Sequence, residues 1–427
     1  MTAVIDPAAG PAPRAAEMPR VLARDGAPVD LAGHLARHGA VPWRGGPRLL
    51  AGTAEEAGLT GRGGAAFPVA RKLRAVAEAP GRAVVVANGA EGEPASGKDR
   101  QLLWANPHLV LDGLQLAAEA VGAATAYLYV HPAPALRRRL ENAFVERAAA
   151  RCDRLPVALV EAPRRFLAGE ESALVGAVQG GPGLPRSTPP RVFQRGVGGR
   201  PTLVQNVETL AHLALVARYG AAWFRAVGTG DEPGSMLVSL HDVDGSRGVA
   251  EVPLGTPLAE LVDTGRSRAV LVGGYHGAWL PAAAAEELPL TNRALRPRGA
   301  AVGAGVVAAL PLDRCGLVET ARVVGYLARE SAGQCGPCLN GLPRIALALG
   351  ALAEPFPADR LVHDVRRWAG LVERRGACHH PDGTVRLVRS ALQVFAEELT
   401  RHRAGRCVAS RPAPPFLPLP AGPGMTS

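Results

Sequence analysis

The chain has 427 residues, 47% hydrophobic but only 4% aromatic, with 51 glycines, 38 prolines and six cysteines, enough for several domains with buried cores. The formal net charge of +10 comes from scattered arginines without an aromatic-interleaved basic stripe, which argues against nucleic-acid binding and fits an acidic protein partner. Six unevenly spaced cysteines make no disulfide framework, the N-terminus lacks the apolar core of a secretory signal, and no apolar run is long enough to span a bilayer, so a cytoplasmic protein is expected.

In chain order, residues 1–34 read as a flexible N-terminal extension, opening on an Ala/Pro-rich stretch with little to bury. Residues 35–228 alternate short β-rich runs, "RAVVVAN", "AYLYV" and "LPVALVEA", with helical stretches such as "PALRRRLENAFVERAAA". That is the alternation of an α/β layer with parallel strands. Between 229 and 304, short strands divided by turn signals, with one short helix in "PLAELVD", predict a small α+β domain. From 305 to 405, four stretches with 3.6-residue apolar spacing, the first "VETARVVGYLARES" and the last "TVRLVRSALQVFAEELTRH", predict a helical bundle. Residues 406–427 read as a Pro-rich tail.

Four segments of the α/β region carry candidate chemistry. In "GLTGRGGAAFPVARKL" (58–73), Gly61, Gly63 and Gly64 allow close backbone approach and a helix follows Pro68. Amide N–H groups, a helix N-terminus and a cation suit a phosphate, although a plain Gly-rich turn has the same composition. Lys72 and Lys98 are the only lysines, and in a chain so biased to arginine each marks a position that suits a compact ammonium. In "VVVANGAEGEPASGKDR" (84–100) an apolar run ends at Asn88, followed by Glu91 and Glu93. The carboxyl end of a parallel strand is where α/β sheets bind ligands; a solvated acidic loop is the other reading. "AGEESALVGAVQGGPGLPRSTPP" and "GRPTLVQNVETLAHLAL" each open a helix, with a Glu pair and an Asn/Thr pair; acids there are ordinarily dipole partners. Further on, "ESAGQCGPCLNG" (330–341) sets Cys335 and Cys338 three apart, which alone reads as a redox CxxC, a buried pair or part of a metal site.

Together and in this order, these segments resemble the flavoprotein (NADH-binding) subunit of respiratory complex I and the related diaphorase subunits. "GRGGAAFP", "NGAEGEPASGKDR", "GEESAL" and "PTLVQNVETLA" are similar to its flavin and nucleotide motifs, "EVPLGTPLAELV" to the start of its small β-grasp domain, and "ESAGQCGPCLNG" with Cys378 to its iron–sulfur segment. The resemblance covers roughly residues 35–400. It implies an α/β FMN-binding domain, a small β-grasp-like α+β domain and a C-terminal helical bundle carrying an iron–sulfur site. Gly61, Arg62, Gly63, Gly64 and Lys72 would then cradle the FMN phosphate and ring, Asn88, Glu91, Gly169, Glu170 and Glu171 would contact the flavin, and Asn206 and Thr209 would help hold the phosphate. Phe67 would stack on NAD(P)H, and Glu93 and Glu171 would be the catalytic carboxylates beside it.

The chain departs from the family pattern at several of these places. Ala90 stands where the family has Asp, Ala66 replaces a Gly, and Gln205 replaces the first Asn of the "NNVET" pattern. At the nucleotide end Arg191 and Gly97 replace phenylalanines, Thr188 replaces a lysine, and "LRAV" after Lys72 lacks an aromatic. The family's C-x-x-C-x-x-C with a distant fourth cysteine becomes Ala332, Cys335, Cys338 and Cys378. This implies a [4Fe–4S] cluster with a non-cysteine fourth ligand, or a [3Fe–4S] cluster. His379, His380, Cys315, Cys407, a water or a partner are the open choices for the fourth position. Otherwise Cys152 and Cys315 fit ordinary buried thiols, and Cys407 a bystander.

The resemblance thus implies an NAD(P)H oxidoreductase passing electrons through FMN to an iron–sulfur cluster; the basic charge adds the expectation of a ferredoxin-like or other acidic carrier as the onward partner. Two alternatives stay open: a flavin/iron–sulfur relay that never meets NAD, and a non-catalytic interaction protein on a degenerated scaffold.

Overall fold

A computed structural model describes residues 20–22, 26–187, 189–409 and 414–420. Much of the expected extension and tail, and Thr188, lie outside the described residues.

The strands are β1 Val84–Gly89, β2 Thr125–Val130, β3 Val157–Glu161, β4 Thr202–Asn206, β5 Ser235–His241, β6 Arg247–Pro253, β7 Ser267–Val272, β8 Ala278–Pro281 and β9 Val306–Pro311. The first four form a wholly parallel sheet in the order β3-β2-β1-β4. Its centre follows from the apolar run: Val85 and Ala87 point into one core, Val84 and Val86 into another on the opposite face, as a strand covered on both sides requires. Helices α1 Leu31–His38, α2 Pro47–Glu56, α3 Val69–Ala77, α4 Lys98–Ala105, α5 Pro107–Val121, α6 Pro134–Ala149, α7 Glu171–Val178 and α8 Val207–Arg225 complete this unit. Helices α5 and α8 pack side by side at Gly113, where an added Cβ would lie 1.9 Å from the Leu210 carbonyl oxygen. β4 was not foreseen: "TLVQN" is a short strand set directly before the helix that begins at Val207, and the helical pattern downstream hides it.

The second sheet has the order β6-β5-β9-β7-β8, with β5 and β9 parallel and the other pairs antiparallel. The helix expected in "PLAELVD" is a single 3₁₀ turn, Leu258–Glu260; the remaining helices here are α9 Ala282–Ala285 and α10 Asn292–Leu295. β9 lies past residue 304, where the small domain was expected to end. The reason is alternation: Val307 and Ala309 enter the small domain's core, while Val306, Ala308 and Leu310 enter the core of the helical region. That region contains α11 Gly316–Arg329, α12 Leu342–Leu352, α13 Arg360–Val372, α14 His380–Val394 and α15 Ala396–Arg403.

The expected flexible N-terminal extension is corrected where it is described, and the Pro-rich tail packs at its described residues. Val21 is fully buried, and its carbonyl accepts a hydrogen bond from the Asn106 amide at 2.6 Å. Asp30 caps α1, and His34 meets the buried Asp112 at 2.8 Å. In the tail, Phe416 and Leu417 pack in the helical core and their N–H groups donate to Glu319 at 3.2 and 3.1 Å. No described helix is long and apolar enough to cross a membrane.

Candidate flavin and iron–sulfur sites

The glycine-rich loop closes on itself: the Gly61 N–H donates to the Phe67 carbonyl at 2.9 Å, and the Val69 N–H to the Leu59 carbonyl at 3.0 Å. Gly64 sits at φ 109°, a conformation closed to most side chains. A Cβ on Gly63 would meet the Asn206 Cβ at 3.2 Å, so the loop lies directly on the start of α8. Asn88 and Asn206 are register partners at the carboxyl ends of β1 and β4, the place where such sheets receive ligands. The Asn88 amide donates to the Gly169 carbonyl at 2.9 Å. A Cβ on Gly92 would fall 2.2 Å from the Phe166 carbonyl oxygen. The four segments foreseen from sequence therefore converge on one cleft.

Within that cleft several expected ligands are occupied by the fold. Arg62 is buried, its N–H donates to Thr209 Oγ1 at 2.8 Å, and its guanidinium donates to the carbonyls of Thr60, Ser235 (3.2 Å) and Pro233 (3.5 Å). It braces the loop against the second sheet, and Thr209 is the other half of that brace. Glu91 accepts the N–H groups of Asp99 (3.2 Å) and Arg100 (3.3 Å) at the start of α4. Glu170 caps α7 through the N–H groups of Ser172 (3.0 Å) and Ala173 (2.9 Å). Asn206 caps α8 by accepting the Glu208 N–H at 3.0 Å, and its amide donates to Asp99 at 2.7 Å. Lys98 is buried between Asp99 (2.8 Å) and Glu208 (2.7 Å). Burial lowers its pKa, but the two carboxylates outweigh this and hold it above the usual lysine range.

Other groups face the cleft with chemistry to spare. Lys72 and Glu171 pair with each other, both partly exposed. Phe67 is 46% exposed, with the Arg71 guanidinium 5.5 Å above its ring. Glu93 accepts the Tyr275 N–H at 2.9 Å through Oε2, whereas its buried Oε1 has no hydrogen-bond partner among the described residues. Burial pushes its carboxyl up to about 8, against the pull of the Tyr275 and Ala95 N–H groups. The buried Gln205 amide nitrogen is likewise unpartnered. The departures from the family pattern are visible too: Ala66 occupies φ 50°, where glycine is favoured, Arg191 is exposed, and the Gly97 N–H donates to Ser239 at 3.0 Å.

The cysteine loop follows α11. Cys338 is buried in a π-helical turn, Pro337–Gly341, while Cys335 and Cys378 are half-buried. Burial and the neighbouring Cys335 push the Cys338 thiol above its usual range, against the pull of the Gly333 and Ala332 N–H groups. Burial raises Cys335, but N–H groups of Ala377 and Cys338 bring it below the usual thiol range. Cys378, facing Cys338, Glu170 and Cys335, is pushed up to about 11 by burial. Of the fourth-ligand choices, His379 is fully exposed to solvent. His380 has both ring nitrogens engaged, with the Leu327 carbonyl (2.8 Å) and His276 (3.0 Å). Cys315 and Cys407 belong to a different cluster, with His402; the 14 residues of α11 set Cys315 about 20 Å from the loop.

One segment joins the two sites. Phe166 packs its ring against His276 (4.9 Å between centroids), His380 (5.6 Å) and Tyr326 (6.0 Å), and its N–H donates to Glu330 at 2.8 Å. Three residues on, Gly169 accepts Asn88. A phosphate-suited loop at the strand ends, coupled through one segment to a three-thiol loop on helices, defines a flavin and iron–sulfur electron-transfer protein.

Comparison with known proteins gives the family. Residues 54–215 match the Nuo51 FMN-binding domain and residues 319–402 the NADH-ubiquinone oxidoreductase-F iron–sulfur binding region. The chain is 30% identical over 369 residues to the second F subunit of the NADH-quinone oxidoreductase of Rhizobium meliloti, covering 82% of this chain and 87% of that one. It is 29% identical over 393 residues to the corresponding F subunit of Streptomyces coelicolor, covering 86% of each. Among solved structures it is similar to a chain of the NAD+-reducing [NiFe]-hydrogenase in the H2-reduced state, with a TM-score of 0.74 and 31% identity over 86% of this chain. It spans 63% of that hydrogenase chain's length. The protein belongs to the family of NADH-quinone oxidoreductase F subunits, with its FMN-binding and iron–sulfur binding regions.

Proposed function

We propose that this chain is an NAD(P)H-oxidising flavoprotein that delivers electrons singly to an acidic iron–sulfur carrier of the ferredoxin type, in the cytoplasm. The observation that carries the reading is the Phe166–Glu171 segment, which touches the flavin cleft at Asn88 and the cluster loop at Glu330 and His380. The residues fit FMN: a glycine-rich loop at the strand ends with Gly64 at φ 109°, and a buried Gln205 donor and Glu93 acceptor left unpartnered among the described residues. They also fit an iron–sulfur cluster: Cys335, Cys338 and Cys378 supply three sulfurs, and neighbouring backbone N–H groups favour negative charge on those of Cys335 and Cys338.

When bound, FMN accepts two electrons as a hydride and a cluster carries one at a time. The chain's own groups have distinct parts. The N–H groups of Gly63 and Gly64 and the Lys72 ammonium would hold an anionic phosphate, with the start of α8 beneath. Glu93 holds a proton at Oε1 around neutral pH. Phe67 offers a flat face to a nicotinamide, and Glu171 a carboxylate beside it. Three thiolates leave one iron position without cysteine, giving a [3Fe–4S] cluster, or a [4Fe–4S] cluster closed by water or a partner. The net charge of +10 favours encounter with an acidic carrier. The central sheet and its short helices are read as a β-grasp-like unit.

Arg191 and Gly97 favour a second reading, a flavin relay without NAD, because they stand where the family has phenylalanines and so remove stacking faces from the nucleotide end. Anaerobic purification followed by titration with NADH and NADPH separates the two. Bleaching of the flavin absorbance by either nucleotide supports the first reading. Bleaching only by dithionite or reduced ferredoxin supports the second, and a protein without flavin or iron overturns both.

A further inference from the structure

Cys315, His402 and Cys407 form a group that neither flavin nor cluster uses. The two sulfurs and one ring nitrogen lie within 4.8 Å of one another, with Cys315 Sγ 3.4 Å from His402 Nε2. We propose that this is a structural zinc site that fastens the segment after α15 to the start of α11.

The donor set is the first ground. Two thiolates and one imidazole form a soft, nitrogen–sulfur set of the kind that selects zinc over hard cations. Zn–S and Zn–N bonds of about 2.3 and 2.0 Å at a tetrahedral angle place sulfur and nitrogen about 3.5 Å apart, close to the distance seen here.

The second ground is how the group is built. Cys315 is the N-cap of α11 and His402 lies in the last turn of α15; both are buried. Gly405, at φ 71°, turns the chain back so that Cys407 reaches them. Glu398 sits 3.1 Å from Cys315 Sγ, but its Oε2 already accepts the N–H groups of Gly316 (2.7 Å) and Leu317 (3.3 Å). Arg268 lies 3.2 Å from its other oxygen. Glu398 is thus held as an outer partner, and the fourth zinc position falls to water on the half-exposed Cys407 side.

Binding exchanges the two thiol protons for the metal: Zn2+ enters, two H+ leave to solvent, and the site gains no net charge. Both thiols lie outside the iron–sulfur match at 319–402, and the length of α11 separates them from the cluster loop. The consequence is local: zinc would fix the end of α15 and the turn to Cys407 on the start of α11, where Glu319 also accepts the Leu417 N–H at 3.1 Å.

The test is metal analysis of the full-length protein, purified anaerobically from cells grown with added zinc. Wild type and Cys378→Ala, which lacks a cluster cysteine, should each hold about one zinc per chain. Cys407→Ser and His402→Gln should lose it while keeping flavin and iron at wild-type levels. Zinc-edge X-ray absorption of the wild type needs no variant to fold, and should report two sulfur and one nitrogen scatterers with one oxygen. Wild type without zinc, zinc unchanged in Cys407→Ser, a four-sulfur shell, or a Cys315–Cys407 disulfide in the freshly purified protein would each overturn the proposal.

Discussion

Lys98 lies inside a flavin-type motif, yet both its neighbours are carboxylates of the fold, and Lys98→Met decides which role it serves. Its ammonium is 3% exposed and bonded to Asp99 and Glu208. Glu208 also accepts the Leu237 N–H at 2.7 Å, which ties α8 to β5. Removing the lysine leaves two buried carboxylates facing each other, and breaking a buried pair from one side costs about 3–5 kcal/mol. For a chain of this size that lowers the thermal midpoint by roughly 3–6 °C. The loss should deepen with pH. Without the lysine the two acids share a raised pKa, the folded state holds a proton that the unfolded state has released, and stability falls as pH rises from about 5 to 8. Adding Glu208→Gln removes one stranded charge and should recover part of the loss. The assay is thermal unfolding followed by circular dichroism at pH 5.5 and 8, with flavin content read in parallel. A variant that keeps its midpoint within about 1 °C but loses FMN would refute the structural role and make Lys98 a flavin ligand.

Gly113→Ala drives a Cβ to 1.9 Å from the Leu210 carbonyl oxygen, which only backbone movement relieves, so a loss of about 3 kcal/mol is expected in urea unfolding; an unchanged midpoint would count against the α5–α8 contact. Glu93→Gln removes a carboxyl whose folded pKa is raised to about 8. Because the wild-type folded state resists ionisation, its stability falls as pH climbs from the ordinary carboxyl range to about 8, and the variant should gain on it by on the order of 2 kcal/mol above that pH and by nothing near pH 4. A gain independent of pH would refute that reasoning. Ala332→Cys supplies the missing thiolate beside Cys338, and iron should rise toward about four per chain with an EPR change from an oxidised [3Fe–4S] to a reduced [4Fe–4S] signal; no change in iron would mean that position 332 does not face the cluster.

The framework of the fold was legible where one period ruled a long segment. "RAVVVAN" became β1, and "PALRRRLENAFVERAAA" became α6 almost residue for residue. β4 and β9 were missed because each is a short strand covered on both faces, whose five or six residues carry no period of their own. The last predicted helix divides at Phe395, between α14 and α15. Motif order was enough to indicate which loops meet. What no local pattern held was which polar side chains the fold consumes: Arg62 is spent on Ser235 and Pro233, more than 170 residues away. Cys407 looked incidental because its partners are His402, nearby in sequence, and Cys315, distant; the His-x4-Cys spacing was the available signal.

The alternation along β7 and β9 has a consequence for cooperativity. Each strand feeds two cores at once, so neither the small domain nor the helical region owns its boundary. Arg62 and Glu208 bond to Ser235 and Leu237, which extends the same dependence to the flavin domain. A protease cut near residue 229 or 304 would therefore not release independent modules. The chain should melt as one unit, and any loop that loosens in one domain draws on the stability of all three.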